Sequence, residues 1–150
     1  MRVVVQRSLH SKVYVNGEVV GEIKSGVVLL VGFKVGDTEK EIDYMVKKVL
    51  NLRIFDDEDG VMNKSLLDVG GDILSISQFT LYGNAKKGNR PSYVDAMPGD
   101  DAVRLYDLFN EKLRDNGVKV EKGVFGADMK VEITNDGPIT ILLESEEKHA

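Results

Sequence analysis

From Met129 the chain alternates as a half-buried strand does, with Met129, Val131 and Ile133 on one face and Lys130, Glu132 and Thr134 on the other, until Gly137-Pro138 interrupts it. Proline has no backbone N–H to give to a sheet ladder, and glycine enters backbone angles closed to other residues. Regular pairing therefore has to lapse at this dipeptide before it resumes over 139–143. Two readings of Asn135-Asp136-Gly137-Pro138-Ile139-Thr140 follow. In one, these ordinary turn residues make a hairpin. In the other, the Gly-Pro bond is cis and fixes two successive carbonyls in an orientation that a trans bond does not supply.

A second segment is comparably informative. Residues 73–81 read as one strand, with Leu74, Ile76, Gln78 and Thr80 on one face and Ile73, Ser75, Ser77, Phe79 and Leu81 on the other. Polar groups replace apolar ones toward its C-terminal end. That switch suits a strand leaving the core to line a cleft, and it suits an edge strand meeting water. Directly afterwards, residues 82–92 form a glycine-bearing loop with three cations, Lys86, Lys87 and Arg90. Such a loop either holds a few phosphates or is a mobile cationic surface loop.

Strands are expected at 2–9, 12–15, 18–23, 26–33 and 53–55, with Asn16-Gly17 as a hairpin turn. Thr38 and Glu41 have the spacing of a capping box, and Ile42, Met45, Val46, Val49 and Leu50 fall on one helical stripe behind them. A second helix is expected over about 100–116, with Ala102, Leu105, Leu108, Phe109 and Leu113 inward and Gly117 ending it. Two closing strands flank the Gly-Pro break. The expected fold class is α+β, with antiparallel or mixed β-sheets curled into a barrel-like core and two main helices. At 150 residues and 42% hydrophobic composition, residues 1–150 are expected to be a single domain.

The absences bear on mechanism. There are no cysteines and only two histidines, of which His149 is close to the C-terminus and His10 reads as a strand-end residue rather than a general base. No G-x-S-x-G elbow, H-E-x-x-H helix or P-loop is present. The acidic run Asp56-Asp57-Glu58-Asp59-Gly60 lacks the ligand spacing and closing Glu of a calcium loop, so it is expected to be a solvated turn. No metal and no cofactor are expected. An enzyme built from this inventory works through backbone dipoles, hydroxyls and amides, or through a group brought by the substrate. The net charge of −5 argues against wrapping a long nucleic acid, which leaves room only for a small contact. No signal peptide and no segment long enough to span a bilayer are seen, so a cytoplasmic location is expected. The acidic stretch 144–147 is expected to be solvated and frayed.

Four motifs, Ser77-Gln78-Phe79-Thr80-Leu81, Lys87-Gly88-Asn89-Arg90-Pro91-Ser92, Phe125-Gly126-Ala127-Asp128-Met129 and Asn135-Asp136-Gly137-Pro138-Ile139-Thr140, stand in the order found in D-aminoacyl-tRNA deacylases, the chiral proofreading hydrolases that include the D-tyrosyl-tRNA(Tyr) deacylases. The chain resembles that family over nearly its full length. The resemblance implies the family's fold and a homodimer, in which Gly137 and Pro138 of one subunit reach the pocket carrying Ser77, Gln78, Phe79 and Thr80 of the other. It implies that Arg7 helps to hold the Gly-Pro segment in a cis arrangement. A related group of deacylases keeps a trans Gly-Pro and a different first motif, so Arg7 and residues 77–80 favour the D-specific branch. Rigid Gly137 and Pro138 carbonyls facing the substrate α-carbon would collide with an L side chain, whereas a D side chain would point to solvent.

The implied substrate is a tRNA acceptor end carrying a D-amino acid or glycine. Its ester would be cleaved to free amino acid and tRNA, with no membrane and no DNA partner. By resemblance, the backbone N–H groups of Phe79 and Thr80 line the site, Ser77 and Gln78 orient the ribose, and Lys86, Lys87 and Arg90 meet tRNA phosphates. Ala102, Phe125 and Met129 resemble the family's terminal adenosine pocket; read from the residues alone they are ordinary core positions. Thr80 is the obvious protein nucleophile but lacks a base nearby, so the tRNA 2′-hydroxyl, or a water it positions, is favoured as the assisting group. The rival reading is a non-catalytic module that binds an RNA 3′ end in the same cleft.

Overall fold

The computed structural model describes residues 1–145. In chain order the elements are β1 (Arg2–Ser8), β2 (Ser11–Val15), β3 (Glu18–Ile23), β4 (Gly26–Gly32), α1 (Glu39–Asn51), β5 (Phe55–Asp56), β6 (Met62–Lys64), α2 (Leu66–Val69), β7 (Asp72–Ser77), a 3₁₀ turn (Phe79–Tyr82), α3 (Gly99–Asp115), β8 (Val120–Lys122), β9 (Lys130–Glu132) and β10 (Asn135–Glu144).

The central sheet runs β10-β1-β4-β7-β8. β1 is antiparallel to both β10 and β4, while β4, β7 and β8 are parallel. Parallel neighbours need long crossovers, and α1 and α3 supply them. Both helices lie on one face, where Val3, Val5, Leu29 and Ile73 bury against Ile42, Met45, Phe109 and Leu113. The opposite face buries Val28, Leu74 and Ile76 against Val13 and Ile23 of the smaller sheet β3-β2-β9. β4 is thus covered on both sides, which is why it reads as an unbroken apolar run. The α+β class holds. Strand pairing stays open in both sheets, so the expected barrel-like core is not seen among the described residues.

Several expectations need correction. The strand over 73–81 stops at Ser77, because β4 ends beside it and the last ladder bond is Gln78 N to Val31 O at 2.7 Å. The chain then tightens into the 3₁₀ turn. Gly32 permits that close approach: a Cβ there would lie 3.0 Å from the Gln78 carbonyl oxygen and 3.2 Å from Leu81 Cβ. The capping box at Thr38 is replaced by a simpler cap, with the Thr38 hydroxyl accepting from Lys40 N. A reciprocal box forms instead at Ser65 and Asp68, on the short α2, for which the sequence reading gave no helix. In α3 the fully buried residues include Tyr106 and Asn110, whereas Leu105 and Leu108 are only partly buried. Glu144 is not frayed; it closes β10 and sits 2.7 Å from Arg2 Nε. Residues 146 and 147 and His149 lie outside the described residues.

The Gly-Pro segment is not a hairpin. β9 pairs with β2 in the smaller sheet, and β10 pairs with β1 in the larger one. Within β10 the register slips: Thr140 opposes Gln6 and Asn135 opposes Ser8, leaving residues 136–139 bulged out across from Arg7 alone. The Gly137-Pro138 peptide is cis, and Gly137 has φ +128°, a region closed to L side chains.

Candidate active site

The 3₁₀ turn, α3 and the loop before β9 enclose a cleft of about 800 Å³. Ser77, Gln78, Phe79 and Thr80 line one part of it, and Ala102, Phe125 and Met129 line another. Residues chosen from three separate stretches of sequence thus share one cavity. Gln78 and Thr80 meet there through the turn rather than along a strand: Gln78 Nε2 donates to Thr80 Oγ1 at 3.0 Å. Phe79 projects into solvent and packs edge-on against Tyr93, with ring centroids 5.1 Å apart.

Phe125 rests against the ring of Tyr106 at 5.8 Å, and the Tyr106 hydroxyl donates to the Ser75 carbonyl at 2.7 Å. Burial pushes the Tyr106 phenol above its ordinary pKa, so it stays a neutral donor that ties α3 to β7. Ala102 serves both sequence readings, being 7% exposed and also at the cleft wall. Phe125 and Met129 are half-buried.

Charge is sparse. Among the described lining residues the ionisable ones are Tyr93 and Asp128, and Asp128 is exposed and faces Lys130 at 3.5 Å. His10 stands elsewhere, on the surface after β1, paired with Glu22. Contact with that imidazole holds the Glu22 carboxyl below its ordinary pKa. Asp56 ends β5 and residues 57–60 lie in the turn of the β5–β6 hairpin, where Asp57 Oδ1 accepts from Asp59 N and Val61 N at 2.9 and 3.0 Å.

The cationic loop does not enter the cleft. It is closed at its base by paired backbone bonds between Asn84 and Ser92, both 2.8 Å, and Lys86, Lys87 and Arg90 are exposed on it. Lys86 lines a separate depression of about 450 Å³ with Arg2 and Lys34. Tyr93 and Met97, which follow this loop and line the cleft, were missed by the sequence reading. The one available signal was an aromatic just past a glycine-bearing loop.

Gly137 and Pro138 are also outside the cleft, exposed at the far end of the sheet. The 3₁₀ turn abuts Gly32, opposite Arg2, whereas the bulge lies beside Ser8, opposite Gly26. That span of β4 is roughly 20 Å at the usual rise of a strand. The bulge is tightly tied. Asn135 Oδ1 accepts from Ile139 N and Asn135 Nδ2 donates to Thr140 Oγ1, both at 2.9 Å. Arg7 Nε donates to the Asp136 carbonyl at 3.1 Å and Arg7 Nη1 to the Ile54 carbonyl at 3.0 Å.

These features first define a class, an open α+β fold with a largely neutral cleft. A solved structure described as a probable eukaryotic D-amino acid tRNA deacylase shares that fold, with a TM-score of 0.83 over 95% of this chain and 97% of its own at 22% identity. The chain belongs to the D-Tyr-tRNA(Tyr) deacylase family, whose pattern matches residues 4–144. It is 56% identical over 148 residues to a D-aminoacyl-tRNA deacylase of Geobacillus sp. (strain WCH70), covering 99% of this chain and 97% of that one. The counterpart from Thermus aquaticus is 55% identical with the same coverage. A further solved structure, the c-Myc DNA Unwinding Element Binding Protein, superposes with a TM-score of 0.91 at 44% identity, over 96% of this chain and 98% of its own.

Proposed function

We propose that this chain hydrolyses the ester joining a D-amino acid to the terminal ribose of tRNA. Water is consumed and free amino acid and tRNA are released, while L-aminoacyl esters are refused. Glycine mischarged onto another tRNA is a second substrate, because it has no side chain to reject. The observation that carries this reading is the convergence of residues 77–80 with Ala102, Phe125 and Met129 on one cleft. Phe125 offers a ring to the terminal adenine, and the hydroxyl- and amide-bearing residues 77–80 face the ester.

Phe79 N and Thr80 N are the first amides of a 3₁₀ turn, so neither has a partner within it. Aimed at the developing oxyanion, such donors contribute about 3 kcal/mol each, and an activated ester needs little more. Ser77 and Gln78 orient the ribose. The Thr80 hydroxyl accepts from Gln78 and has no histidine or lysine beside it among the described cleft residues, so it is a poor nucleophile. The 2′-hydroxyl of the tRNA, or a water it positions, takes that role.

The chirality filter is the Gly137-Pro138 backbone of a second copy of the chain. Within one protomer the bulge and the turn sit at opposite ends of the sheet, which favours an antiparallel homodimer that brings each bulge to the other's cleft. Arg7 positions the bulge. Lys86, Lys87 and Arg90 meet phosphates of the acceptor end, a local contact compatible with a net charge of −5. Work on aminoacyl-tRNA suits a cytoplasmic protein. No helix among the described residues is long and apolar enough to cross a membrane.

The test is to incubate the protein with D-tyrosyl-tRNA and L-tyrosyl-tRNA and follow release of tyrosine. Rapid loss of the D ester alone supports the enzyme. A second reading, nucleic-acid binding without chemistry, draws on the name of the 44%-identical structure. Retention of tRNA with no release from either ester would favour it.

A further inference from the structure

A four-residue 3₁₀ turn does not hold its own shape, since it fixes several dihedral angles for very few hydrogen bonds. The bonds at its two ends are Leu81 N to Gln78 O at 3.3 Å and Gly83 N to Thr80 O at 2.9 Å. The direction in which its leading amides point is therefore set by what grips it from outside. At its start the grip is Gln78 N on the Val31 carbonyl. At its end the last carbonyls lack partners within the turn. There the Leu81 carbonyl accepts from Arg2 Nη1 at 2.8 Å.

The same guanidinium makes two more contacts. Its carbon lies 4.6 Å from the centroid of the Tyr82 ring, and its Nε lies 2.7 Å from Glu144 Oε1. Arg2 and Glu144 are direct partners across β1 and β10, so the carboxylate presents the guanidinium from a rigid ladder. One planar side chain, 33% exposed, thus ties the turn to two strands. It does not line the cleft.

Resting on the reading of Phe79 and Thr80 as oxyanion donors, we propose that Arg2 is a positioning residue for the deacylation. It holds the C-terminal end of the turn so that the two leading amides keep their aim. β1 then carries one arginine for each working segment: Arg2 grips the turn, and Arg7 grips the bulge.

The experiment compares Arg2→Ala, Arg2→Lys and wild-type protein by steady-state deacylation of D-tyrosyl-tRNA and by amide hydrogen exchange. In Arg2→Ala, kcat is expected to fall about 10- to 100-fold with KM within about threefold, because orientation rather than substrate contact is lost. Exchange should quicken at residues 79–83 while β1 and β4 keep their protection. Arg2→Lys should recover only part of kcat, since an ammonium cannot serve the carbonyl, the ring and the carboxylate together. The proposal is overturned if both variants turn over at the wild-type rate. It is equally overturned if exchange at 79–83 is unchanged, or if protection falls evenly across the sheet in both variants. Should the wild-type protein release nothing from the D ester, the deacylase reading fails, and the exchange measurement still decides whether Arg2 grips the turn.

Discussion

Arg7 stands opposite the bulged residues of β10, and its Nε donates to the Asp136 carbonyl at 3.1 Å while its Nη1 reaches the Ile54 carbonyl at 3.0 Å. One guanidinium thus joins two segments far apart in sequence, with its side chain only 12% exposed. Arg7→Ala leaves both carbonyls without this donor, at a cost of about 1–3 kcal/mol, readable as a lower urea midpoint. If the bulge is the chirality filter, the ratio of kcat/KM for D- over L-tyrosyl-tRNA should fall about tenfold or more. An unchanged ratio with a lowered midpoint would confine Arg7 to stability.

Thr80→Ala should retain turnover to within a few-fold, because among the described cleft residues no base stands beside its hydroxyl, which mainly receives the Gln78 amide. A D-tyrosyl-tRNA whose terminal ribose lacks the 2′-hydroxyl should turn over far more slowly with wild-type protein. Normal hydrolysis of that deoxy substrate would return the assisting role to the protein.

Phe125→Leu should raise KM about tenfold with little change in kcat, since base stacking on an aromatic ring contributes about 1–3 kcal/mol. The ring leans on Tyr106 in the wild type, so a melting curve should accompany the kinetics. A fall in kcat at constant KM would mean that Phe125 shapes the reacting end of the cleft.

The pH dependence of one helix is also fixed in sign. Asp68 accepts from Ser65 N at 2.9 Å within the box that starts α2, and these bonds hold its carboxyl below the ordinary range. A depressed folded-state pKa means stabilisation that is present above the unfolded pKa and lost as pH falls through the folded one. The stability gap between wild type and Asp68→Asn should therefore be constant near neutrality and close below about pH 4. A gap that persists in strong acid would show that the charge is not what Ser65 N binds.

Local periodicity carried much of the fold. The unbroken apolar run of β4, the stripe of α1 and the end of α3 at Gly117 all follow from residues within one or two turns of each other. What failed to show was non-local. Nothing in 129–143 says that β9 joins β2 while β10 joins β1, and the proline break read as a hairpin turn or a cis bond, not as a bulge within one strand. The end of β7 depends on where β4 stops, so alternation carried the strand past Ser77. That error still grouped Gln78 with Thr80, which the turn does by other means. Ala102 comes beside Phe125 and Met129 only through the placement of two separate segments. Their grouping came from family resemblance, since no spacing between them predicts it.

The outer neighbour of β1 is β10, the last strand of the described chain. During synthesis β1 can find β4 early, but its other edge has to wait until residues 135–144 have left the ribosome. Until then β1 presents one unpaired edge of a largely apolar strand, an invitation to wrong partners.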